Sequence, residues 1–500
     1  MTGGRVPDDI RVRGSASSGL APRSLRDQES TSMPESCSPC VPVRRCIAAL
    51  AFVALGLSGA AADAPLDKLF AERVRSVVAV EYFVETEIDR HPSTVVGMVA
   101  DAKGLVVLLD SAIPGWMPPA QLKDFLIYRP GTSDGTAADY LGQDHLTGWH
   151  FLRARGGLGD GVVPCTAYAA VEPVVGAGLW GIGIMGKDFE FQPYLLMGHV
   201  ALVQQLPQQV GSAVTDIASP GSLVFARGGD LLGWAGNTVP QERLLYLENE
   251  RYNVGIQNPN GTGSFFLASE VLPYLGRVPA APVGQPVPWL GVIGLQPVDR
   301  EVADFLKLGN RSAVVISDVI ADGPAARAGV QKRDIIVAFE GRPLPRFSPD
   351  RVVTTYLERE ILMRQPGDRI TLGLARGQTR LDLAIEVGRQ PKALKEAERR
   401  YFPRLGVTLR ESVLYDLISR RLEGSDERGV VANFVKPNTP AATAGLRAGD
   451  LIMEIDGQPS VDYARAIEHT DAIEKDLTRS EFVLLISRGA ETQVIRVRLK

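Results

Sequence analysis

Residues 66–280 carry their apolar positions in short runs separated by glycine, proline and polar residues. That spacing suits short strands and leaves no room for long amphipathic helices. Strands are predicted at 76–83, 95–100, 104–109, 125–128, 179–185, 199–204, 222–225 and 231–235. Short strands with glycine-rich turns make a barrel or sandwich of roughly two hundred residues. Past residue 290 the pattern changes, because helical periodicity enters between the strands and a segment recurs.

Gly323-Pro324-Ala325-Ala326-Arg327-Ala328-Gly329-Val330 continues into Asp334-Ile335-Ile336 and Glu340-Gly341-Arg342-Pro343. Thr439-Pro440-Ala441-Ala442-Thr443-Ala444-Gly445-Leu446 continues into Asp450-Leu451-Ile452 and Asp456-Gly457-Gln458-Pro459. A gap-free match of this length implies two copies of one domain, and each opens alike, with Leu290-Gly291-Val292 and Leu405-Gly406-Val407. Pro324 or Pro440 starts a short alanine helix, which Gly329 or Gly445 ends. A strand follows, at 335–339 or 451–455, and closes on an acidic-Gly pair suited to a tight hairpin. In the first copy Ser348-Pro349-Asp350 reads as a helix N-cap with proline at the first helical position. That helix carries Val353, Leu357 and Ile361 on one face; in the second copy 461–473 is the equivalent, with Ala464 and Ile467 facing inward. Paired strands close each copy, at 369–375 with 381–387 and at 481–487 with 493–499. Arg333 stands where the second copy has Gly449, a turn position that favours φ > 0, so strain or a re-routed chain is expected there.

Both repeats resemble PDZ domains in the bacterial permuted arrangement. The resemblance implies that the Leu-Gly-Val opening receives a peptide's C-terminal carboxylate on backbone N–H groups, and that the peptide adds as a strand beside Val292 or Val407. Its binding residues would be Leu290, Gly291, Val292, Val353 and Leu357 in the first copy and Leu405, Gly406, Val407, Ala464 and Ile467 in the second. A β-barrel region followed by two such domains resembles the HtrA/Deg family of trypsin-like serine proteases. The implied fold is mainly β, a trypsin-like double β-barrel followed by two PDZ-like α+β domains, with bounds 63–280, 281–390 and 391–500. Residues 279–288 would be a stiff spacer and 392–400 a charged, helix-prone link with a solvated face.

The resemblance also locates three catalytic positions. Gly97-Met98-Val99-Ala100-Asp101-Ala102-Lys103-Gly104-Leu105-Val106-Val107 is similar to the hairpin that delivers the family's histidine, yet Ser111 stands at the histidine position. Leu141-Gly142-Gln143-Asp144-His145-Leu146-Thr147-Gly148 is similar to the aspartate segment, with Gly148 in the aspartate's place. Ala218-Ser219-Pro220-Gly221-Ser222-Leu223-Val224 is similar to the nucleophile segment, with Ser219 kept and Pro220 replacing a glycine. A serine hydroxyl needs a base held in its tautomer by a carboxylate, and neither Ser111 nor Gly148 supplies one. The remaining histidines are His91, His145, His150, His199 and His469. No His-Glu-x-x-His helix, Cys/His cluster or phosphate-binding glycine loop is present, so no metal or other cofactor is expected.

Composition narrows the partners. With 45% apolar and 22% charged residues the chain is neither collagenous nor largely disordered. Its 54 basic and 58 acidic residues give a net charge of −4, with no basic excess for a phosphate backbone, and nucleic acid is not expected as a partner. Residues 1–62 read as a leader: Arg44 and Arg45, an apolar run from 47 to 57, then Ser58-Gly59-Ala60-Ala61-Ala62, the parts of a secretory signal cleaved near Ala62/Asp63. Met33 is an alternative start. Cleavage would leave Cys165 alone, without Cys37, Cys40 and Cys46, and would take the net charge to −6. The chain is thus expected to be exported, periplasmic or secreted, or else anchored by an uncleaved signal. Its expected function is that of an HtrA-like pseudoprotease binding peptides or C-termini of exported proteins as an adaptor, decoy or holdase. The alternative is an active serine endopeptidase of periplasmic protein quality control using Ser219 and an unrecognised base; a third reading makes the PDZ domains structural docking modules. The family resemblance alone implies a homo-oligomer, a trimer.

Overall fold

A computed structural model describes residues 65–236, 263–283, 286–305, 307–309, 311–420, 428–489 and 491–499. The predicted leader, with Met33, Cys37, Cys40, Cys46 and the cleavage point, lies outside them. No helix among the described residues is long and apolar enough to cross a membrane.

Helix α1 (Leu66–Arg73) leads into β1 (Val77–Glu85). With β2 (Arg90–Val99), β3 (Leu105–Leu108), β4 (Leu122–Tyr128), β5 (Gly135–Gln143) and β6 (His150–Ala154) it closes a barrel in the order β1-β2-β3-β6-β5-β4. A second barrel follows from β7 (Gly178–Ile184), β8 (Pro193–Gln205), β9 (Gln209–Ala213), β10 (Leu223–Ala226), β11 (Leu231–Ala235) and β12 (Gly263–Leu267), in the order β10-β11-β12-β9-β8-β7. The apolar runs are continuous rather than alternating because several strands are buried on both faces. In β3, Val106 and Leu108 point into the first barrel, while Leu105 and Val107 join a separate core between the barrels. In β10, Val224 fills the second barrel and Leu223 and Phe225 face that same inter-barrel core, beside Trp180 and Trp234. Side chains alternate across a strand, so a strand wall shared by two cores needs apolar residues at every position.

Four barrel strands escape the sequence pattern: β5, β6, β9 and β12. Gly135-Thr136-Ala137-Ala138-Asp139 in β5 and Gly211-Ser212-Ala213 in β9 have little intrinsic strand preference. Closure of the barrel supplies their pairing.

After α2 (Ala268–Val271) the first repeat comprises β13 (Pro288–Trp289), β14 (Val292–Pro297), α3 (Arg300–Phe305), β15 (Val314–Val319), α4 (Pro324–Arg327), β16 (Ile335–Phe339), β17 (Arg342–Pro343), α5 (Val352–Leu362), β18 (Arg369–Arg376), β19 (Thr379–Glu386) and β20 (Gly388–Arg389). Its sheet runs β14-β15-β16-β18-β19, with β17 on β16 and β13 pairing β20. The second repeat comprises β21 (Arg399–Phe402), β22 (Val407–Glu411), α6 (Leu414–Ser419), β23 (Val430–Val435), α7 (Pro440–Thr443), β24 (Leu451–Ile455), β25 (Gln458–Pro459), α8 (Tyr463–Lys475), β26 (Glu481–Arg488) and β27 (Glu491–Arg498). Here the order is β21-β22-β23-β24-β26-β27, with β25 on β24.

The repeated turn chemistry is realised. Gly329 and Gly445 end their helices at φ +87° and +90°, and the hairpins turn through Glu340-Gly341 and Asp456-Gly457, all four at positive φ. Arg333 keeps the turn conformation of its counterpart, φ +69° against +94° at Gly449, so the first copy accepts a left-handed arginine instead of re-routing. Three expectations are corrected. Helix α5 begins at Val352, past a cis Ser348-Pro349 bond, so Ser348 does not cap it. Helix α8 is capped by Asp462, whose Oδ1 accepts from Ala464 N–H at 2.9 Å. This start sets the helical phase, and Ala466, Thr470 and Ile473 are buried while Ala464 is exposed. The stretch at 392–400 is not a helix; it crosses in turns and ends in β21.

The first repeat seats on the first barrel through Leu362 at the end of α5, packed with Leu146, Tyr274 and Val287. Arg359 donates to the Tyr274 hydroxyl at 2.7 Å.

Candidate functional site

Ser111 is exposed on the 3-10 turn that follows β3, Gly148 is buried at φ +74° in the turn before β6, and Ser219 lies half-buried between β9 and β10. These are the loops at which the resemblance put the three positions, and no hydrogen bond joins them among the described residues. Ser219 Oγ accepts from Ile184 N–H at 2.9 Å and donates to no base among the described residues. From Ser219 to Ser222 the backbone is engaged. Ser219 N–H donates to Ile182 O at 3.1 Å, Gly221 N–H to Ala235 O at 2.7 Å and Ser222 N–H to Ser219 O at 2.9 Å, while Pro220 has no N–H. Gly221, at φ +89°, lies against β2 so closely that a Cβ there would be 2.1 Å from Val96 O. This segment therefore offers no free pair of N–H groups to a developing oxyanion. Ser222 Oγ is sealed in the interior without a partner among the described residues.

No histidine is hydrogen-bonded to Ser219 among the described residues. His150 is 2% exposed on β6, paired in register with Leu108, and its Nδ1 lies 2.9 Å from the Tyr140 hydroxyl. Burial pushes its pKa down to about 3, with the Lys395 charge adding to the effect and the Asp110 and Ile113 backbone opposing it. His91 and His199 are exposed on β2 and β8, His145 Nε2 is 3.2 Å from Leu362 O, and His469 is half-buried on α8. Gly148 is held by a polar turn in which buried Asp144 accepts from Thr147 N–H and Oγ1, each at 2.8 Å, and from Arg277 Nε at 3.0 Å.

The two grooves differ. In the first repeat β14 pairs only with β15, and its other edge has no strand partner among the described residues. The N–H groups of Leu290 and Gly291 donate no hydrogen bond to any described residue, and Gly291 is at φ +78°. Leu290, Val292, Val353 and Leu357 are all at most 4% exposed, packed together in the repeat's core. What the solvent reaches is the backbone edge of β14, and an incoming side chain has to part that packing.

In the second repeat the equivalent edge, β22, is covered by β21, with Arg399 opposite Arg410, Arg400 opposite Leu409, Tyr401 opposite Thr408 and Phe402 opposite Val407. Leu405 and Val407 are buried, Ile467 is partly buried against the same core, and Gly406 N–H donates to Phe402 O at 2.7 Å. The N–H groups of Arg404 and Leu405 donate to the Glu474 carboxylate at 2.7 and 3.2 Å. Phe402, Arg404 and Glu474 were not among the residues the sequence singles out. The one local signal is the strand-prone Tyr401-Phe402 pair just before Leu405-Gly406.

The PDZ domain family matches residues 291–387 and, separately, 432–476. Among curated relatives, a "Probable periplasmic serine endoprotease DegP-like" of Pseudomonas savastanoi is 25% identical over 404 residues, covering 79% of this chain and 76% of its own. One of the same name from Pseudomonas fulva is 28% identical over 63% of this chain and 62% of its own, and one from Chlamydia trachomatis is 26% identical over 40% and 37%. The chain thus matches less than two thirds of the length of several of these relatives. A solved "HtrA-type protease AlgW with tripeptide" aligns at TM-score 0.47 with 17% identity, over 66% of this chain and 98% of that one.

Proposed function

The chain belongs to the HtrA-type family of trypsin-like proteins with two PDZ domains, and on that premise we propose that it is an exported, periplasmic peptide-binding protein whose barrels do not hydrolyse what it holds. Its ligands are C-terminal tails or exposed peptides of other exported proteins. The observation that carries the reading is the first PDZ domain's β14, an edge strand without a partner, beside a loop whose Leu290 and Gly291 N–H groups are free among the described residues. An extended peptide adding to such an edge gains main-chain hydrogen bonds, and its terminal carboxylate gains the loop N–H groups. The non-hydrolytic part is supported by Ser111 and Gly148 at the base and carboxylate positions and by the engaged backbone of 219–222. A periplasmic setting is supported by the names of the relatives and by the signal-like leader.

A library of fluorescent heptapeptides with free C-terminal carboxylates, titrated against the purified protein, is expected to give saturable binding that amidation of the terminus abolishes. Equal binding of the amidated peptides would overturn carboxylate capture. Unfolded casein is expected to stay intact with both the parent and Ser219→Ala; cleavage by the parent alone would overturn the non-hydrolytic reading.

A further inference from the structure

We propose that Arg399–Phe402 is the resident ligand of the second PDZ groove, so that this domain is a self-liganded clamp and not a second receptor for free tails. Strand β21 lies antiparallel to β22 on the edge where a peptide would add, and it runs toward the Leu405-Gly406 loop, ending with Phe402 opposite Val407. Phe402 is 1% exposed and packs with Leu405, Val407 and Ile473 in the domain core, as a terminal side chain would. The loop's donors are filled as well. Gly406 N–H holds the Phe402 carbonyl, and the Glu474 carboxylate, reaching in from α8, takes the N–H groups of Arg404 and Leu405 in place of a peptide terminus. The Arg404 guanidinium closes the loop onto the end of α8, donating to Ile473 O at 3.1 Å and to Glu474 O and Asp476 O at 2.9 Å each. Arg400 pairs with Asp471 on the same helix.

The residues before each loop explain why only one groove fills itself. The first copy has Pro286-Val287-Pro288-Trp289, in which two residues lack the N–H that a ladder needs. Its chain turns away, and β13 pairs with β20. The second copy has Arg399-Arg400-Tyr401-Phe402-Pro403-Arg404, in which every residue of the strand segment 399–402 is a donor, two of them strand-prone aromatics, and the one proline falls in the turn after it. The loop from Phe402 to Val407 is short, so the segment faces its groove at an effective concentration on the order of millimolar or more. A free copy at 10 µM would then hold roughly one groove in a hundred.

Hydrogen exchange on the intact protein tests this without altering it. The amides of Leu405 and Gly406 are expected to exchange at least about tenfold more slowly than those of Leu290 and Gly291; comparable rates in the two loops would overturn the proposal. In Glu474→Ala the amides of Arg404 and Leu405 are expected to speed up at least about tenfold while Gly406, held by Phe402, keeps its rate. Unchanged rates at Arg404 and Leu405 would refute the stand-in carboxylate, and unchanged protection in β26 and β27 verifies that the variant folds. The Glu474→Ala readout is confined to the second domain, so it stands apart from whether the first captures tails.

Discussion

On the proposed non-hydrolytic reading, Ser111→His together with Gly148→Asp is expected not to create a peptidase. A positioned general base is worth roughly 10²–10⁴ in rate. Each oxyanion donor is worth roughly 10²–10³, about 2.7–4 kcal/mol. In this chain the N–H groups of Ser219 and Gly221 are bonded to Ile182 O and Ala235 O, that of Ser222 to Ser219 O, and Pro220 has none. In a trypsin-like site the oxyanion donors are the nucleophile's own N–H and the one two residues before it; that of Ser219 is spent on Ile182 O, which withholds about 2.7–4 kcal/mol, comparable with what the base returns. Position 148 adds a further cost, since a side chain at its φ of +74° is strained by roughly 1 kcal/mol. Fluorophosphonate labelling, read by intact mass with Ser219→Ala as the blank, is the assay. The double variant is expected to label no faster than the parent, and adding Pro220→Gly, which restores an N–H and frees the turn, is expected to give the first measurable rise. Stoichiometric labelling of Ser219 in the double variant would refute the argument from backbone donors.

Two further predictions concern stability. His150 is buried with its pKa pushed down to about 3, whereas an unfolded imidazole titrates near 6.5. The unfolded chain then binds the extra proton between these values, so the stability this group contributes is complete above about pH 6.5 and is lost as the pH falls toward 3, by on the order of several kcal/mol. Urea midpoints are expected to fall more steeply from pH 7 to 4 in the parent than in His150→Gln, and equal slopes would contradict this. In the second PDZ domain Arg410 and Asp416 form a buried pair at 2.6 and 3.0 Å. Asp416→Ala, which strands the guanidinium, is expected to cost about 3–5 kcal/mol in chemical denaturation, while Arg410→Met with Asp416→Leu stays within about 2 kcal/mol of the parent; a double variant as unstable as the single one would show that no uncompensated charge is involved.

Much of the fold was legible because it repeats. The Pro-Ala-Ala and acidic-Gly segments recur with their spacing intact, and turn chemistry of that kind is local, so each copy's helix, strand and hairpin follow from a few residues. Less legible were β5 and β9, whose glycine, alanine and aspartate residues carry weak preferences that barrel closure overrides. The buried face of α8 differs for a similarly small cause, an Asp462 cap one residue past the predicted start.

The candidate sites divide the same way. That residue 111 is a serine and residue 148 a glycine is a matter of residue identity, and the chain alone settles which groups are present. What only the tertiary structure decides is where backbone donors and strand edges end up, because hydrogen-bond partners distant in sequence meet only after folding. The bonds of Ser219 and Gly221 to strands β7 and β11 link residues from 14 to 37 positions apart, and Glu474 reaches a loop 70 positions before it. Two Leu-Gly-Val openings that read alike therefore become an open edge in one domain and a filled groove in the other.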